Sequence, residues 1–183
     1  MRGIIRSYGG KRPRIGSSVF VAETAAVIGD VEIGDDSSVW YATTIRGDVM
    51  PIRIGARTSL QDGTVVHVTS GRFGTIIGDD CTIGHAAVIH ACTVEDHCLV
   101  GMGAILLDGC VIGRGSFVGA GALVTPGTHI PPGSLVLGSP ARVKRSIRCV
   151  LALEPSRLVS RLKLIVSTTS VLPSQCPRES PLH

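Results

Sequence analysis

The most regular feature of the sequence is an aliphatic residue that recurs almost every six positions. Every member of the series is Ile, Leu or Val, the next residue is often glycine, and a small or β-branched residue follows four positions later. The series runs Ile15, Val21, Val27, Ile33, Val39, Ile45, Ile54, Leu60, Val66, Ile77, Ile83, Ile89, Val94, Val100, Leu106, Ile112, Val118, Val124, Ile130 and Val136. A helical interpretation fails, because glycine and proline are frequent and no 3.6-residue period appears.

This six-residue period predicts an all-β chain folded as a parallel β-helix of hexapeptide repeats. Each hexad supplies a short strand and a corner, and three hexads form one triangular coil of roughly 18 residues. Neighbouring coils pair as parallel strands about 4.8 Å apart, with the aliphatic residues stacked inside the prism. We attribute the recurring glycine to the backbone angles that a tight corner needs.

The register breaks at three places along the repeat. Three extra residues follow Ile45, five follow Val66, and one is missing after Ile89. Counting the hexads in threes assigns all three breaks to the same corner of the triangle. A scaffold that keeps its irregular loops on one edge favours a functional role for that edge.

Polar residues with metal-binding chemistry fall into two columns once this register is applied. Arg46, His67 and His90 each directly follow the aliphatic residue of the third face, in three successive coils. Asp62 and His85 each lie two positions after the aliphatic residue of the second face. We therefore expect His67 beside His90 at strand spacing, and His85 on another face.

This placement favours a metal site built between subunits. In a cyclic trimer, one face of each prism meets a different face of the next, so His67 and His90 would come from one subunit and His85 from its neighbour. Three neutral imidazoles plus water form the usual catalytic zinc site, with an open fourth position. Zn²⁺ is the expected ion, and Fe²⁺ or Co²⁺ suit the same imidazole ligands.

The same residues resemble the γ-class carbonic anhydrases and their hexapeptide-repeat homologues over roughly residues 12–145. The motifs that carry the resemblance are RGD at 46–48, QDG at 61–63, His67, the HxxxxH pair His85 and His90, and SPARVKR at 139–145. The resemblance implies a left-handed β-helix and a homotrimer with a metal ion at each subunit interface. It also implies the ligand set His67, His90 and, from the next chain, His85.

Four further polar residues acquire roles from the resemblance. Arg46 and Asp62 would form an ion pair between subunits, and Gln61 and Asp48 would be hydrogen-bonding partners near the metal-bound water. The implied reaction is the reversible hydration of CO2 to bicarbonate by a metal-bound hydroxide, a lyase activity. In this interpretation Gln61 orients the hydroxide or the small substrate, and Asp48 holds Gln61.

Two loops depart from the founding member of that family, which carries acidic residues in its active-site loops. Here Val49 follows Asp48, and the loop VTSGRFGT at residues 68–75 has no acid. A missing acidic shuttle predicts slow proton export to buffer and weak activity.

Two alternatives remain on the same fold, because a fold does not by itself define a function. One is a coenzyme A-dependent acyltransferase or thioesterase, in which a single loop histidine usually acts as the base without a metal. The other is a non-catalytic metal-binding subunit. The set of three histidines weighs against the first alternative, and an open coordination position would oppose the second.

Composition and charge limit the location and the partners. The chain is 44% hydrophobic but only 3% aromatic, which suits a narrow prism filled with Ile, Leu and Val. The net charge of +4 lies mostly in the tail, so the repeat region has no basic footprint for nucleic acid. No apolar run reaches membrane-spanning length, and six cysteines without a disulfide pattern favour a reducing cytoplasm.

Three segments follow from these patterns. Residues 1–14 are predicted to form an N-terminal strand or arm, and residues 15–145 the hexapeptide-repeat β-helix. Residues 146–183 form an atypical C-terminal tail, predicted to be partly helical or disordered. Its candidate helix runs from the capping residue Ser156 to Val166 and carries one apolar stripe.

Overall fold

The computed structural model describes residues 3–147, and every regular element in that range is a β-strand. The strands are β1 (Ile4–Arg6), β2 (Arg14–Ile15), β3 (Phe20–Val21), β4 (Ala26–Ile33), β5 (Ser38–Val39), β6 (Thr44–Ile54), β7 (Ser59–Leu60), β8 (Val65–His67), β9 (Thr75–Ile77), β10 (Thr82–Ile83), β11 (Val88–His90), β12 (Thr93–Val94), β13 (Leu99–Val100), β14 (Ile105–Leu106), β15 (Val111–Ile112), β16 (Phe117–Val118), β17 (Leu123–Val124), β18 (His129–Ile130), β19 (Ser134–Leu137) and β20 (Arg142–Ser146). The candidate helix over residues 156–166 lies outside the described residues. Between residues 3 and 147 no helix is long and apolar enough to cross a membrane.

Parallel strands from successive coils pair on three faces, which confirms the β-helix predicted from the hexads. The ladders of paired aliphatic residues are Ile15, Ile33, Ile54, Ile77, Val94, Ile112 and Ile130 on the first face; Val21, Val39, Leu60, Ile83, Val100, Val118 and Val136 on the second; and Val27, Ile45, Val66, Ile89, Leu106 and Val124 on the third. At the two ends, β1 pairs in parallel with β4, and β20 pairs antiparallel with β19. The face assignment made from the sequence is therefore the register of the fold.

The aliphatic residue of each hexad fills the prism. All of them are buried except Ile15 and Val21 in the first coil, which are partly exposed. Burying one such side chain stabilises the fold by about 1.5–3 kcal/mol, so the stacked core fixes the register. Buried hydroxyl groups at the corners donate hydrogen bonds to backbone carbonyls of the next coil. Thr58 Oγ1, for example, donates to the carbonyl of Gly78 at 2.7 Å.

The glycines that follow the aliphatic residues permit close packing between coils, so our explanation by corner angles is wrong. A Cβ atom at Gly34 would lie 2.6 Å from the backbone nitrogen of Ala56 in the next coil, which is too close for a real contact. The left-handed backbone of the corner lies two residues later instead, as at Asp36 (φ 57°) and Arg57 (φ 54°).

The three register breaks all lie at the corner between the third and the first face. Here β4 and β6 continue through the corner as strands of 8 and 11 residues, which joins the two faces into one 12-stranded sheet. The five extra residues belong to a loop between β8 and β9, at residues 68–74. Backbone hydrogen bonds between Thr69 and Phe73 close this loop, and its first residue, Val68, is buried.

Candidate metal centre

His67 and His90 lie side by side at this irregular corner. Each is the last residue of its strand, and each follows a buried residue, Val66 or Ile89, so the imidazole ring lies outside the prism. Strand pairing places His90 directly opposite His67. Nδ1 of His67 lies 3.1 Å from Nε2 of His90, and the ring centroids are 5.2 Å apart.

A carboxylate contacts the outer nitrogen of each ring. Nε2 of His67 lies 3.1 Å from Oδ1 of Asp48, which belongs to β6. Nδ1 of His90 lies 2.6 Å from Oδ1 of Asp108, which follows β14 in the next coil. Metal-binding histidines in proteins usually donate their far N–H to a carboxylate or carbonyl in this way.

Both carboxylates are anchored by a further group. Asp48 accepts a hydrogen bond from the Arg46 guanidinium, and a second one at 3.1 Å from the backbone N–H of Val49. Asp108 accepts one from the hydroxyl of Thr69. The result, which we call the corner relay, is a continuous chain of contacts through Thr69, Asp108, His90, His67, Asp48 and Arg46.

These contacts keep both carboxyl groups ionised at neutral pH. Burial raises the pKa of Asp48, but the hydrogen bonds from Arg46 and His67 outweigh that effect, and the pKa is lowered. The hydroxyl of Thr69 is the largest cause at Asp108 and, together with His90, lowers the pKa of that carboxyl group against the opposing effect of burial. An ionised carboxylate only accepts hydrogen bonds, so each outer ring nitrogen must be the donor.

The donor set fits a metal ion. When the outer nitrogens of two neutral rings carry the protons, the inner nitrogens face each other with lone pairs 3.1 Å apart. Two lone pairs at that separation repel each other unless a cation is shared between them. Two nitrogens bound at about 2.0–2.1 Å to one tetrahedral zinc ion are about 3.3 Å apart. The pair therefore matches two corners of a tetrahedral zinc site.

His85 lies in the turn that follows β10 of the second face, outside the corner relay. Its Nδ1 is 2.9 Å from Oδ2 of Asp62, and both side chains are about half exposed. The two residues occupy one column, because the backbone N–H of Ala86 donates to the carbonyl of Asp62. Among residues 3–147 of one chain, no group of three His, Cys, Asp or Glu could hold an ion. One chain thus brings two of the three predicted ligands together.

Gln61 also belongs to the second face, beside Asp62. Within the described part of one chain, the carboxylate of Asp48 contacts Arg46, Val49 and His67 and makes no hydrogen bond with Gln61. The guanidinium of Arg46 contacts Asp48 in the same chain. Its pairing with Asp62 across subunits stays a prediction.

Sequence analysis missed Asp108 and Thr69. Residues 68–75 contain no acid, as predicted, and the carboxylate comes from Asp108 in the next coil. Asp108 lies two positions after Leu106 of the third face, in the coil that pairs with His90. The same register that placed the histidines could therefore have found this carboxylate.

Residues 91–126 match the family described as bacterial transferase hexapeptide (six repeats). A carbonic anhydrase of Geobacillus kaustophilus is 46% identical over 144 residues, which cover 79% of each chain. A Methanocaldococcus jannaschii protein named "Probable carbonic anhydrase" is 59% identical over 133 residues, which cover 73% of this chain and 83% of the relative. Gamma carbonic anhydrase 2 of Arabidopsis thaliana is 55% identical over 103 residues, but these are 54% of this chain and only 37% of the plant protein.

Among solved structures, a Bacillus cereus protein named "putative acetyltransferase" superposes with a TM-score of 0.82. It is 41% identical, and the match covers 88% of this chain and 93% of that one. The repeat, the core and the histidine corner define a hexapeptide-repeat β-helix protein. Within that class, the chain belongs to the γ carbonic anhydrase family.

Proposed function

We propose that this protein is a metal-dependent carbonic anhydrase that interconverts CO2 and bicarbonate. The observation that carries the proposal is the His67–His90 pair, with inner nitrogens 3.1 Å apart and a carboxylate behind each ring. The relatives named carbonic anhydrase support the same chemistry. Zinc is the expected ion, and iron or cobalt would suit the same ligands.

The active form is proposed to be a homotrimer in which His85 of one subunit completes the His67–His90 pair of the next. Two observations support this arrangement. The pair supplies only two ligands, and His85 lies on a different face with its side chain about half exposed. Arg46 and Asp62 would pair across the same interface, as predicted from the family resemblance.

When bound, the metal would lower the pKa of a water ligand towards about 7 and so supply a nucleophile at neutral pH. The residues of the chain hold and orient the reactants. Asp48 and Asp108 keep the two rings in place, and the amide of Gln61, with two donors and one acceptor, is suited to orient CO2 or bicarbonate. The hydrogen bonds that lower the pKa of Asp48 and of Asp108 make both carboxylates weak proton acceptors, so buffer would have to carry protons away.

Stopped-flow CO2 hydration on the metal-loaded trimer tests the proposal. We expect a low rate in dilute buffer and a clear rise when an imidazole-type buffer is added, because an external base then replaces the missing shuttle. Val49→Glu, at an exposed position beside Asp48, should reduce this dependence on buffer. A metal-replete trimer without hydration at any buffer concentration would contradict the proposal.

Coenzyme A-dependent acyl transfer or thioester hydrolysis is the second candidate function. The observation in its favour is the 41% identity to the Bacillus cereus protein named "putative acetyltransferase". Release of free coenzyme A from acetyl-coenzyme A, with and without amine acceptors, measures it on the same preparation. Metal binding with neither activity would favour a non-catalytic metal-binding subunit.

We also propose a cytoplasmic location, as predicted from the cysteine pattern. The four described cysteines, Cys81, Cys92, Cys98 and Cys110, are buried free thiols. Contact with a neighbouring thiol and burial raise the pKa of Cys81 and of Cys92, whereas the contact with Cys81 lowers the pKa of Cys98. Burial of all four thiols limits their contact with oxidants. Reduced structural thiols are typical of proteins in a reducing compartment.

A further inference from the structure

The corner relay leads to an inference about how the two histidines are aimed. We propose that Asp48 and Asp108 hold His67 and His90 in opposite tautomers, so that Nδ1 of His67 and Nε2 of His90 are the nitrogens that bind the metal. The inference rests on the metal site of the proposed function and assigns its geometry. Asp48 and Asp108 are positioning residues, because each acts through the ring that it contacts.

The hydrogen bonds to the carboxylates decide which nitrogen keeps the proton. A neutral imidazole carries one ring proton, and the partner of one nitrogen sets the tautomer. Oδ1 of Asp48 lies 3.1 Å from Nε2 of His67, so Nε2 keeps its proton and Nδ1 offers a lone pair. Oδ1 of Asp108 lies 2.6 Å from Nδ1 of His90, so the assignment is reversed in the second ring.

Opposite tautomers allow both histidines to face one ion although they occupy equivalent positions on neighbouring strands. His67 and His90 occupy equivalent positions on neighbouring parallel strands, so identical side-chain conformations would point their lone pairs in the same direction. In the structure the ring planes are tilted by 51°, and unlike nitrogens face each other at 3.1 Å. One ring therefore uses Nδ1 and the other Nε2, which lets two stacked residues converge on one ion.

The loop at residues 68–74 takes part in this arrangement through a hydroxyl group. Thr69 donates to Oδ2 of Asp108 while Oδ1 contacts His90, so both oxygens of the carboxylate are engaged. The ring of Phe73, from the same loop, lies over Gly109, since a Cβ atom there would be 3.5 Å from it. The inserted loop thus fixes Asp108, whereas the Arg46 guanidinium and the backbone N–H of Val49 fix Asp48.

Zinc affinity of the full-length protein, measured by competition with a chromophoric chelator, tests the positioning role. Asp48→Asn and Asp108→Asn should each weaken binding by about 10–100-fold, as for other outer-shell partners of metal ligands. Thr69→Val keeps the shape but removes the hydroxyl, and it should have a smaller effect in the same direction. Asp36→Asn is the matched control, because Asp36 is exposed and its φ of 57° is one that Asn tolerates.

The tautomers are read directly from long-range ¹H–¹⁵N correlations of ring-labelled histidine in the zinc-loaded trimer. We expect the proton of His67 on Nε2 and that of His90 on Nδ1. The exposed His129 serves as the reference spectrum of a histidine ring that binds no metal. Zinc bound through the same nitrogen of both rings, or unchanged affinity in both Asn variants, would overturn the inference alone. A wild-type protein that binds no zinc would overturn the metal site itself, and zinc binding with these tautomers but no CO2 hydration would overturn only the anhydrase activity.

Discussion

Two regions of the molecule carry the same residue types but are built differently. One is the corner around His67 and His90, and the other, which we call the strip, is the column formed by Asp62 and His85. At the corner, the side chains of His67 and Asp48 are only 20% and 12% exposed. On the strip, those of His85 and Asp62 are 49% and 44% exposed. The corner is held in place by further contacts within one chain, whereas the strip is a single exposed contact between His85 and Asp62. This contrast is what two halves of one intersubunit site would show before assembly.

The largest expected effect is that of removing a corner ligand. His90→Ala should reduce bound metal from about one ion per chain to almost none and abolish both the basal and the buffer-stimulated CO2 hydration, because two imidazoles hold the ion poorly. Elemental analysis of the untagged protein and stopped-flow kinetics measure the two losses. His129→Ala, at an exposed position on β18, is the control. Metal retained in the His90 variant would show that the corner is not the site.

His85→Ala tests the other half of the comparison. We expect it to lose as much metal as the corner variant, although His85 makes no contact with the corner relay in one chain. The same logic predicts about one ion per chain in the trimer and almost none in a monomer forced by interface substitutions. Equal metal content per chain in monomer and trimer would contradict a shared site.

Arg46→Ala should act on assembly more than on the coil. If Arg46 pairs with Asp62 across the interface, its loss leaves a partly buried carboxylate unpaired, at a cost of about 3–5 kcal/mol to the trimer. Sedimentation at micromolar protein measures dissociation, and circular dichroism checks that the β-helix persists. Arg57→Ala is the matched control, because Arg57 pairs with Asp80 at a different corner. A full trimer in the Arg46 variant would refute the pairing.

The smallest expected effect concerns that control pair and the pH dependence of stability. The hydrogen bond from Arg57 is the largest cause that lowers the pKa of Asp80 in the folded protein. Because the unfolded pKa is higher, at about 3.9, the pair stabilises the fold above that pH, and the contribution is lost as pH falls through the folded pKa. Asp80→Asn should therefore lower Tm slightly at pH 7, and the difference from the wild type should shrink steadily as the pH falls below about 3.9. A Tm difference that persists in acid would point to a contribution other than charge.

The sequence predicts the regular part of this molecule well, because one physical requirement repeats along it. Each coil must bury its aliphatic residue, so the positions of Val66 and Ile89 determine that His67 and His90 stand side by side. The sequence pattern predicted a corner role for Gly34, but glycine is needed there because the next coil lies so close. The distance between coils cannot be read from the spacing of residues along the chain. The six-residue period therefore predicts which residues are neighbours, but it does not explain why a particular residue type is needed at a given position.

Where inserted residues interrupt the six-residue period, the sequence does not predict in which direction a side chain points. Asp48 lies among the three extra residues after Ile45, and the family resemblance assigned it to Gln61, whereas within one chain it contacts His67. Thr69 lies in the five-residue insertion, and its bond to Asp108 depends on how that loop folds. The parts of the site that escaped prediction are those that depend on inserted residues.

Subunit mixing tests the central claim most directly. His90→Ala has an intact strip and His85→Ala an intact corner, so neither homotrimer should bind metal. Co-expressed with different affinity tags and purified through both, the mixed trimers should each regain about one intact site of three, because one interface pairs the intact corner with the intact strip. Recovered metal at that stoichiometry, with CO2 hydration in proportion, is the predicted result. Mixed trimers as free of metal as the two parents would contradict a site shared between subunits.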